Sequence, residues 1–247
     1  MKMKTMISSV VMAAAFAFSA VADDVWYNAN GVTVSGAGVV PSVAYRSESE
    51  TTAWLDITVA DGATAELKSL TSDPSVTLSI QKLGGGLLVI SSARALSFSV
   101  EEGTLQLPGD CWGGHDANAS AYTLTVHENG TVTTYTHLPL PNVVMRGGRL
   151  VGYHGYIVND YSGSGEQSLN TWKSWAMKHN IKVLRSSNGA PSVISAYASH
   201  IGHGSYMPTF NIDEGAELQL DTMICDGKAA DGSNPAAGRK SKSWQKK

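Results

Sequence analysis

The chain has 247 residues, of which 43% are hydrophobic and only 16% are charged, so it is long enough to bury a sizeable core. Residues 23–227 carry 10 Lys and Arg against 20 Asp and Glu, whereas residues 228–247 carry six Lys and Arg and one Asp. The acidic body excludes nucleic acid as the expected partner, because phosphate contacts need clustered Lys and Arg.

Residues 1–22 have the pattern of an export signal. Lys2 and Lys4 precede an apolar run from Met6 to Ala17, and Ala20-Val21-Ala22 forms a cleavage site before Asp23. The apolar run is too short to span a bilayer, which needs about 20 residues. The sequence therefore predicts a secreted or cell-surface protein with no integral membrane segment after cleavage of this signal peptide.

The stretch 82–107, KLGGGLLVISSARALSFSVEEGTLQL, contains strands that follow glycines. Leu87–Ile90 follows three glycines and Thr104–Leu107 follows Gly103, while residues 96–100 alternate large apolar with small polar residues. A tight corner between strands needs a positive φ or a close backbone approach, which glycine supplies without steric cost. The pattern indicates repeated strand–corner–strand units, here called rungs.

Similar units recur at 59–67, 126–132, 144–151 and 212–220. One rung cannot bury its apolar face, but stacked rungs share a continuous core. The spacing between equivalent glycines, from Gly85 to Gly103, Gly130 and Gly148, is irregular, which fits a β-solenoid with loops of different length. We therefore predict an all-β solenoid over 23–227, with a Gly-rich β-sandwich as the alternative.

Two later segments are predicted separately. Residues 166–180 fit either an amphipathic helix with Ser168 as its N-cap or two strands, and the β character of the neighbouring segments favours strands. Residues 228–247 are polar, basic and rich in Gly and Ala, and we predict a disordered tail.

The repeated pattern resembles the autotransporter-associated β-strand repeat of exported bacterial surface proteins. In that family a Lys-x-Gly-x-Gly-x-Leu strand is followed by a turn-rich stretch and an apolar-x-x-Gly-x-Leu strand. The positions that match are Lys82, Gly84, Gly86 and Leu88 in the first half, and Val100, Gly103, Leu105 and Leu107 in the second. The resemblance covers roughly residues 59–227. It implies a right-handed parallel β-helix passenger with a structural or adhesive role and no catalytic signature.

The chain departs from that family in size, because its members have many more rungs and often end in a β-barrel or a sorting signal. After Gly227 the family pattern would lead into another Lys-x-Gly-x-Gly strand, where this chain has its basic tail. The expectation is a short or truncated member.

Cysteine and histidine offer candidate chemistry. Cys111 and Cys225 could form a disulfide in an exported protein, although their spacing does not show that they meet. Cys111, His115 and Asp116 lie within one Gly-rich loop, whereas nucleophilic pairs normally come from distant parts of a fold. His200 and His203 flank a glycine, and a zinc site would need a third ligand. We assign no catalytic, cofactor or metal residue from these patterns.

Acidic and aromatic residues also recur near the corners. A stacked ladder of acids could bind calcium weakly, although solvated turns explain the same pattern; its members would be Asp61, Glu101, Glu102, Glu128, Asp213 and Glu214. Aromatic side chains in Gly- and Ser-rich surroundings could stack on sugars or plug the ends of the solenoid, and we favour plugging; they are Trp112, Tyr153, Tyr156, Tyr161, Trp172 and Trp175.

The sequence thus predicts a non-catalytic exported protein with an adhesion, matrix or display role, whose partners would be surface glycans or extracellular matrix. The alternative is a carbohydrate-active β-helix enzyme, a polysaccharide lyase or glycosidase. A glycosidase needs carboxylates roughly 5 to 10 Å apart. The arrangement of the acids in three dimensions therefore separates the two functions.

Overall fold

The computed structural model describes residues 24–92, 96–108, 111–112, 120–134, 138–152, 158–159, 168–169, 175–201, 208–226 and 242–245. These residues contain no α-helix, and the prediction of an all-β fold is confirmed. The strands follow one another in chain order as β1 Asp24–Ala29, β2 Val32–Gly38, β3 Ser42–Ser47, β4 Thr52–Thr58, β5 Thr64–Thr71, β6 Thr77–Leu83, β7 Leu87–Ile90, β8 Ser97–Gln106, β9 Thr123–Thr133, β10 Leu138–Leu140, β11 Asn142–Met145, β12 Arg149–Val151, β13 Val158–Asn159, β14 Ser168–Leu169, β15 Trp175–Met177, β16 Ile181–Val183, β17 Ser192–Ile201, β18 Phe210–Ile212, β19 Glu217–Asp226 and β20 Lys242–Gln245.

Most of these strands form a mixed sheet in which long parallel ladders dominate. The first ladder joins β4, β6, β8, β9, β11, β16 and β18. The second ladder joins β5, β7, β8, β9, β12, β17 and β19. A third, shorter ladder joins β10, β15 and the ends of β17 and β19. The chain runs through a strand of the first ladder and then through a strand of the second, and it repeats this path; each repeat is here called a pass. Strands that pair within a ladder therefore come from successive passes.

Antiparallel strands lie at both ends of these ladders. Near the N-terminal end, β3 pairs with β4, and β2 lies between β1 and β5. Near the other end, β20 pairs with β19. The pair β13–β14 forms a separate two-stranded sheet.

The register of the parallel ladders aligns apolar residues of successive strands, and their side chains form continuous buried columns. In the second ladder one such column is fully or nearly buried and runs through Ala65, Leu88, Leu105, Val132, Leu150, Ile194 and Leu220. The first ladder supplies Leu55, Ile80, Phe98, Leu124, Val143 and Ile181 in the same way. Side chains of both ladders belong to one apolar core. Because a single slip in register would turn these side chains outward, the alternation fixes the pairing.

Three predictions bear on particular segments. In 166–180 the described residues 168–169 and 175–177 form β14 and β15, and 178–180 lie in neither a helix nor a strand. Ser168 therefore lies in a strand and not at a helix N-cap. Residues 242–245 form β20, whereas the sequence predicts disorder throughout 228–247; the other tail residues lie outside the described part. The predicted signal peptide, 1–22, also lies outside it. Within the described part, no helix has the length and apolar character needed to cross a membrane.

Candidate functional site

Glycines form a column at the corner between the first and second ladders. Gly103 pairs with Gly130, and the Thr104 N–H donates to the Gly86 carbonyl at 3.1 Å. A Cβ on Gly103 would lie 2.4 Å from the Gly84 carbonyl oxygen and 2.6 Å from that of Gly86. Successive corners therefore touch backbone to backbone, which only glycine permits.

Lys82 lies beside this column and is completely buried. Its register partners are Ile57 and Val100, so it occupies an inward position that is otherwise apolar. The ammonium group donates to the carbonyls of Leu83 at 2.9 Å, Gly84, and Glu102 at 3.1 Å. Since Glu102 belongs to the next pass of the chain, Lys82 joins two successive corners.

Burial lowers the pKa of Lys82 from 10.5 to about 8, because desolvation disfavours the charged ammonium. The carboxylates of Glu102 and Asp61 act in the opposite direction and offset part of this effect. Three carbonyl acceptors satisfy the three donors of an ammonium, so the burial costs less than that of an unpaired charge. Lys82 is therefore suited to hold a corner together.

The carboxylates of Asp61 and Glu128, two of the predicted corner acids, accept intramolecular hydrogen bonds from backbone N–H groups. The Asp61 carboxylate accepts a hydrogen bond from the Gly85 N–H at 2.9 Å. The Glu128 carboxylate accepts from the Ser187 N–H and, at 2.8 Å, from the Ser187 hydroxyl. The Ser187 N–H is the largest cause of a lowered pKa for Glu128, and the hydroxyl adds to it. Both carboxylates thus tie a corner to a segment of another pass.

Glu101 belongs to a row of polar side chains on the outer surface of β3, β4, β6, β8 and β9, here called the outer polar row. Its members are Arg46, Asp56, Gln81, Glu101 and His127. Glu101 accepts from Gln81 Nε2 at 3.1 Å and from Ser99 Oγ at 2.8 Å, and His127 Nε2 lies 3.2 Å from its carboxylate. This row connects five strands.

Arg46 anchors the other end of the outer polar row. Its guanidinium donates to Asp56 through two nitrogens at 3.4 Å and to Gln81 at 3.1 Å. It also lies 5.6 Å from the centroid of the Trp54 ring, within the range of a cation–π contact. This row cannot be predicted from the sequence, because its members come from strands that pair only in three dimensions.

The remaining predicted acids have exposed side chains; they are Glu102, Asp213 and Glu214. Glu102 also joins the Lys82 contact through its backbone carbonyl. Asp213 forms two backbone hydrogen bonds: its N–H donates to the Val183 carbonyl, and its carbonyl accepts from the Ala216 N–H. Across the described ranges, no three His, Cys, Asp or Glu side chains gather closely enough to hold a metal ion. The predicted acid ladder is therefore divided among separate structural contacts.

Two of the predicted aromatic residues are buried and not exposed. Trp112 donates to the Leu96 carbonyl at 2.8 Å and packs edge-on against Phe98, with ring centroids 5.9 Å apart. Trp175 is fully buried and donates to the Ser195 carbonyl at 3.2 Å. Both rings fill the core rather than offer a surface for sugars. The other four predicted aromatics, Tyr153, Tyr156, Tyr161 and Trp172, lie outside the described residues.

Only some of the cysteine and histidine residues singled out in the sequence lie among the described residues. Cys111 is buried and Cys225 lies in β19, but the Cys225 side chain is outside the described part, so the disulfide stays a prediction. His200 lies in β17, with its backbone in register with Cys225. His115, Asp116 and His203 lie outside the described residues.

Comparisons with known proteins add no relative: no family model matches the chain, and no curated protein or solved structure matches it. We therefore infer function from the residues and contacts described above.

Proposed function

We propose that the chain is an exported, non-catalytic right-handed parallel β-helix that displays its loops for adhesion or matrix contact, with surface glycans as the class of partner. Support for the β-helix comes from the three parallel ladders, in which each strand pairs with the strand of the next pass. Right-handedness follows from the general preference of parallel crossovers. Export rests on the signal pattern of 1–22.

The observation that carries the non-catalytic role is the use of the corner carboxylates. Asp61 and Glu128 bind backbone N–H groups of other passes of the chain, and Glu101 accepts from Gln81 and Ser99. Acids that catalyse glycoside hydrolysis act as a pair across a substrate bond, with one able to exchange a proton. Here the carboxylates accept hydrogen bonds from other parts of the same chain and so stabilise the fold. The resemblance to passenger repeats points to the same role.

One contact favours the alternative, a carbohydrate-active enzyme. The carboxylate of Glu101 lies beside the imidazole of His127 on the outer polar row, and both side chains are about 30% exposed. A carboxylate and an imidazole in contact can exchange protons with a ligand. If the chain is an enzyme, we expect these two residues to carry its chemistry.

A polysaccharide panel separates the two functions. The purified chain is assayed for reducing ends and unsaturated products, with and without calcium, and for retention on the same glycans immobilised on beads. The variants Glu101→Gln and His127→Gln are tested in parallel, with Glu50→Gln as the control for loss of an exposed acid outside the outer polar row. We expect retention on at least one glycan without product. Product release that E101Q abolishes and E50Q preserves would overturn the non-catalytic proposal.

A further inference from the structure

The last strand of the second ladder, β19, is covered by a strand from the tail. In β20, Lys242 is in register with Leu220, and Trp244 is in register with Leu218. This pairing is antiparallel, whereas β19 pairs with β17 in parallel. The outer edge of β19 therefore accepts an extended segment that reaches it from outside the repeating parallel path.

Burial differs between β19, which β20 covers, and β18, which pairs only with β16 among the described residues. Leu218 and Leu220, where β20 pairs, are 1% and 8% exposed. Phe210 and Ile212 of β18, which end the first ladder, are only half-buried, whereas their partners Ile181 and Val183 in β16 are fully buried. An added strand thus coincides with burial of the last row of the core.

The two segments carry opposite net charge, whereas the register itself places Glu217 opposite Gln245 and Lys242 opposite Leu220. Residues 208–226 contain five acids and no Lys or Arg, and the acids are Asp213, Glu214, Glu217, Asp221 and Asp226. Residues 239–247, RKSKSWQKK, contain five Lys and Arg and no acid. Opposite charges favour the pairing and are screened by salt. The tail and the terminal strand therefore pair through their backbones and carry opposite net charge.

We propose that the outer edge of β19 is a binding site for an extended basic peptide, filled within the chain by β20 and able to accept the same segment of a second copy. Backbone hydrogen bonds give such strand addition its affinity, and the acidic surroundings select a basic strand. The fifteen residues between Asp226 and Lys242 are long enough to let β20 return to its own β19. The intramolecular strand therefore competes with one supplied by another chain. This inference is independent of the proposed adhesive function.

The test adds the tail segment as a separate peptide. In an antiparallel ladder alternate residues direct their N–H groups to the partner strand, so the full-length double variant Ser243→Pro and Trp244→Pro disrupts β20 whichever residue donates. A fluorescent peptide of residues 239–247 is titrated into the wild-type chain and into this opened variant, and anisotropy is measured. Circular dichroism checks that the variant stays folded. If it does not, a chain ending at Ser241 replaces it.

We expect the peptide to bind the opened chain at least about tenfold more tightly than the wild type, and to bind less tightly as salt rises. The same peptide with both prolines should not bind, and one with glutamine in place of every Lys and Arg should bind at least about tenfold more weakly. Absence of binding to a folded, opened chain would overturn the proposal. So would equal binding to the wild-type and opened chains, or equal binding of the proline peptide.

Discussion

Lys82 lies where the alternation of its strand predicts an aliphatic side chain, between Ile57 and Val100 in register. The sequence places it before the glycines and within the Lys-x-Gly-x-Gly pattern, but does not show that it is buried. Only the fold reveals that three carbonyls from two passes of the chain converge on its ammonium group. Lys82 therefore acts as a cross-link at a corner that has no room for side chains on its glycines.

The depressed pKa of Lys82 makes a contribution to stability that depends on pH. Between pH 8 and 10.5 the unfolded chain retains a proton that the folded chain has lost, so the Lys82 contribution to stability rises with pH across this window. Relative to Lys82→Met, the free energy of unfolding of the wild type should rise by up to about 3 kcal/mol over this range. Urea titrations of both proteins at pH 7.5 and 10.5 measure it. A difference independent of pH would contradict the burial of this ammonium.

Glu128 should contribute to stability at neutral pH, and this contribution should be lost in acid. Its folded pKa lies below 4.5, so its stabilising effect is present above that pH and is lost as pH falls through the folded value. Acidification from pH 6 to pH 3 should therefore lower the melting temperature of the wild type more than that of Glu128→Gln. Glu50→Gln serves as the exposed control and should follow the wild type. If E128Q also follows the wild type, the contact with Ser187 is not stabilising.

At the scale of single elements, the alternation along β8 separates inward from outward residues. Leu105 is fully buried between Leu88 and Val132, whereas Gln106 points outward between Val89 and Thr133. Leu105→Ala should lower the free energy of unfolding by about 2–5 kcal/mol because it leaves a cavity. Gln106→Ala should change it by no more than about 0.5 kcal/mol. Chemical denaturation of both variants tests this, and equal losses would contradict the assigned register.

The sequence predicts where strands run better than where they stop. It separates residues 96–100 from Thr104–Leu107 by a glycine corner, but β8 continues through Gly103 with an irregularity in register between Val100 and Glu102. β9 likewise passes through Asn129 and Gly130. Alternation of side chains is a local property that sequence shows, whereas continuity across a corner depends on hydrogen bonds to the neighbouring pass.

At the scale of the whole molecule, the sequence could predict the core but not the surface contacts. Apolar alternation and corner glycines indicate an all-β stack, because each rung must bury its face against another. The outer polar row and the Glu128–Ser187 contact join residues from separate passes, and their partners depend on register and loop length. The same limit applies to Trp112 and Trp175: the sequence favours a plugging role for them but does not predict their partners, which are Leu96, Phe98 and Ser195.

Successive corners stack in direct backbone contact, and two glycines test this contact. Gly62 and Gly103 both have a positive φ, near 70°, but a Cβ on Gly62 would meet nothing within 4 Å, whereas one on Gly103 would strike the carbonyls of Gly84 and Gly86. Both alanine variants bear the conformational cost of about 1–2 kcal/mol, and Gly103→Ala adds a packing cost of about 1–3 kcal/mol.

The most direct measurement is the free energy of unfolding of Gly62→Ala and Gly103→Ala by urea titration under identical conditions. The stacked corners predict that G103A loses at least about 1 kcal/mol more than G62A. Equal losses in the two variants would show that the corner at Gly103 has room for a side chain, and would contradict the stacking of successive passes.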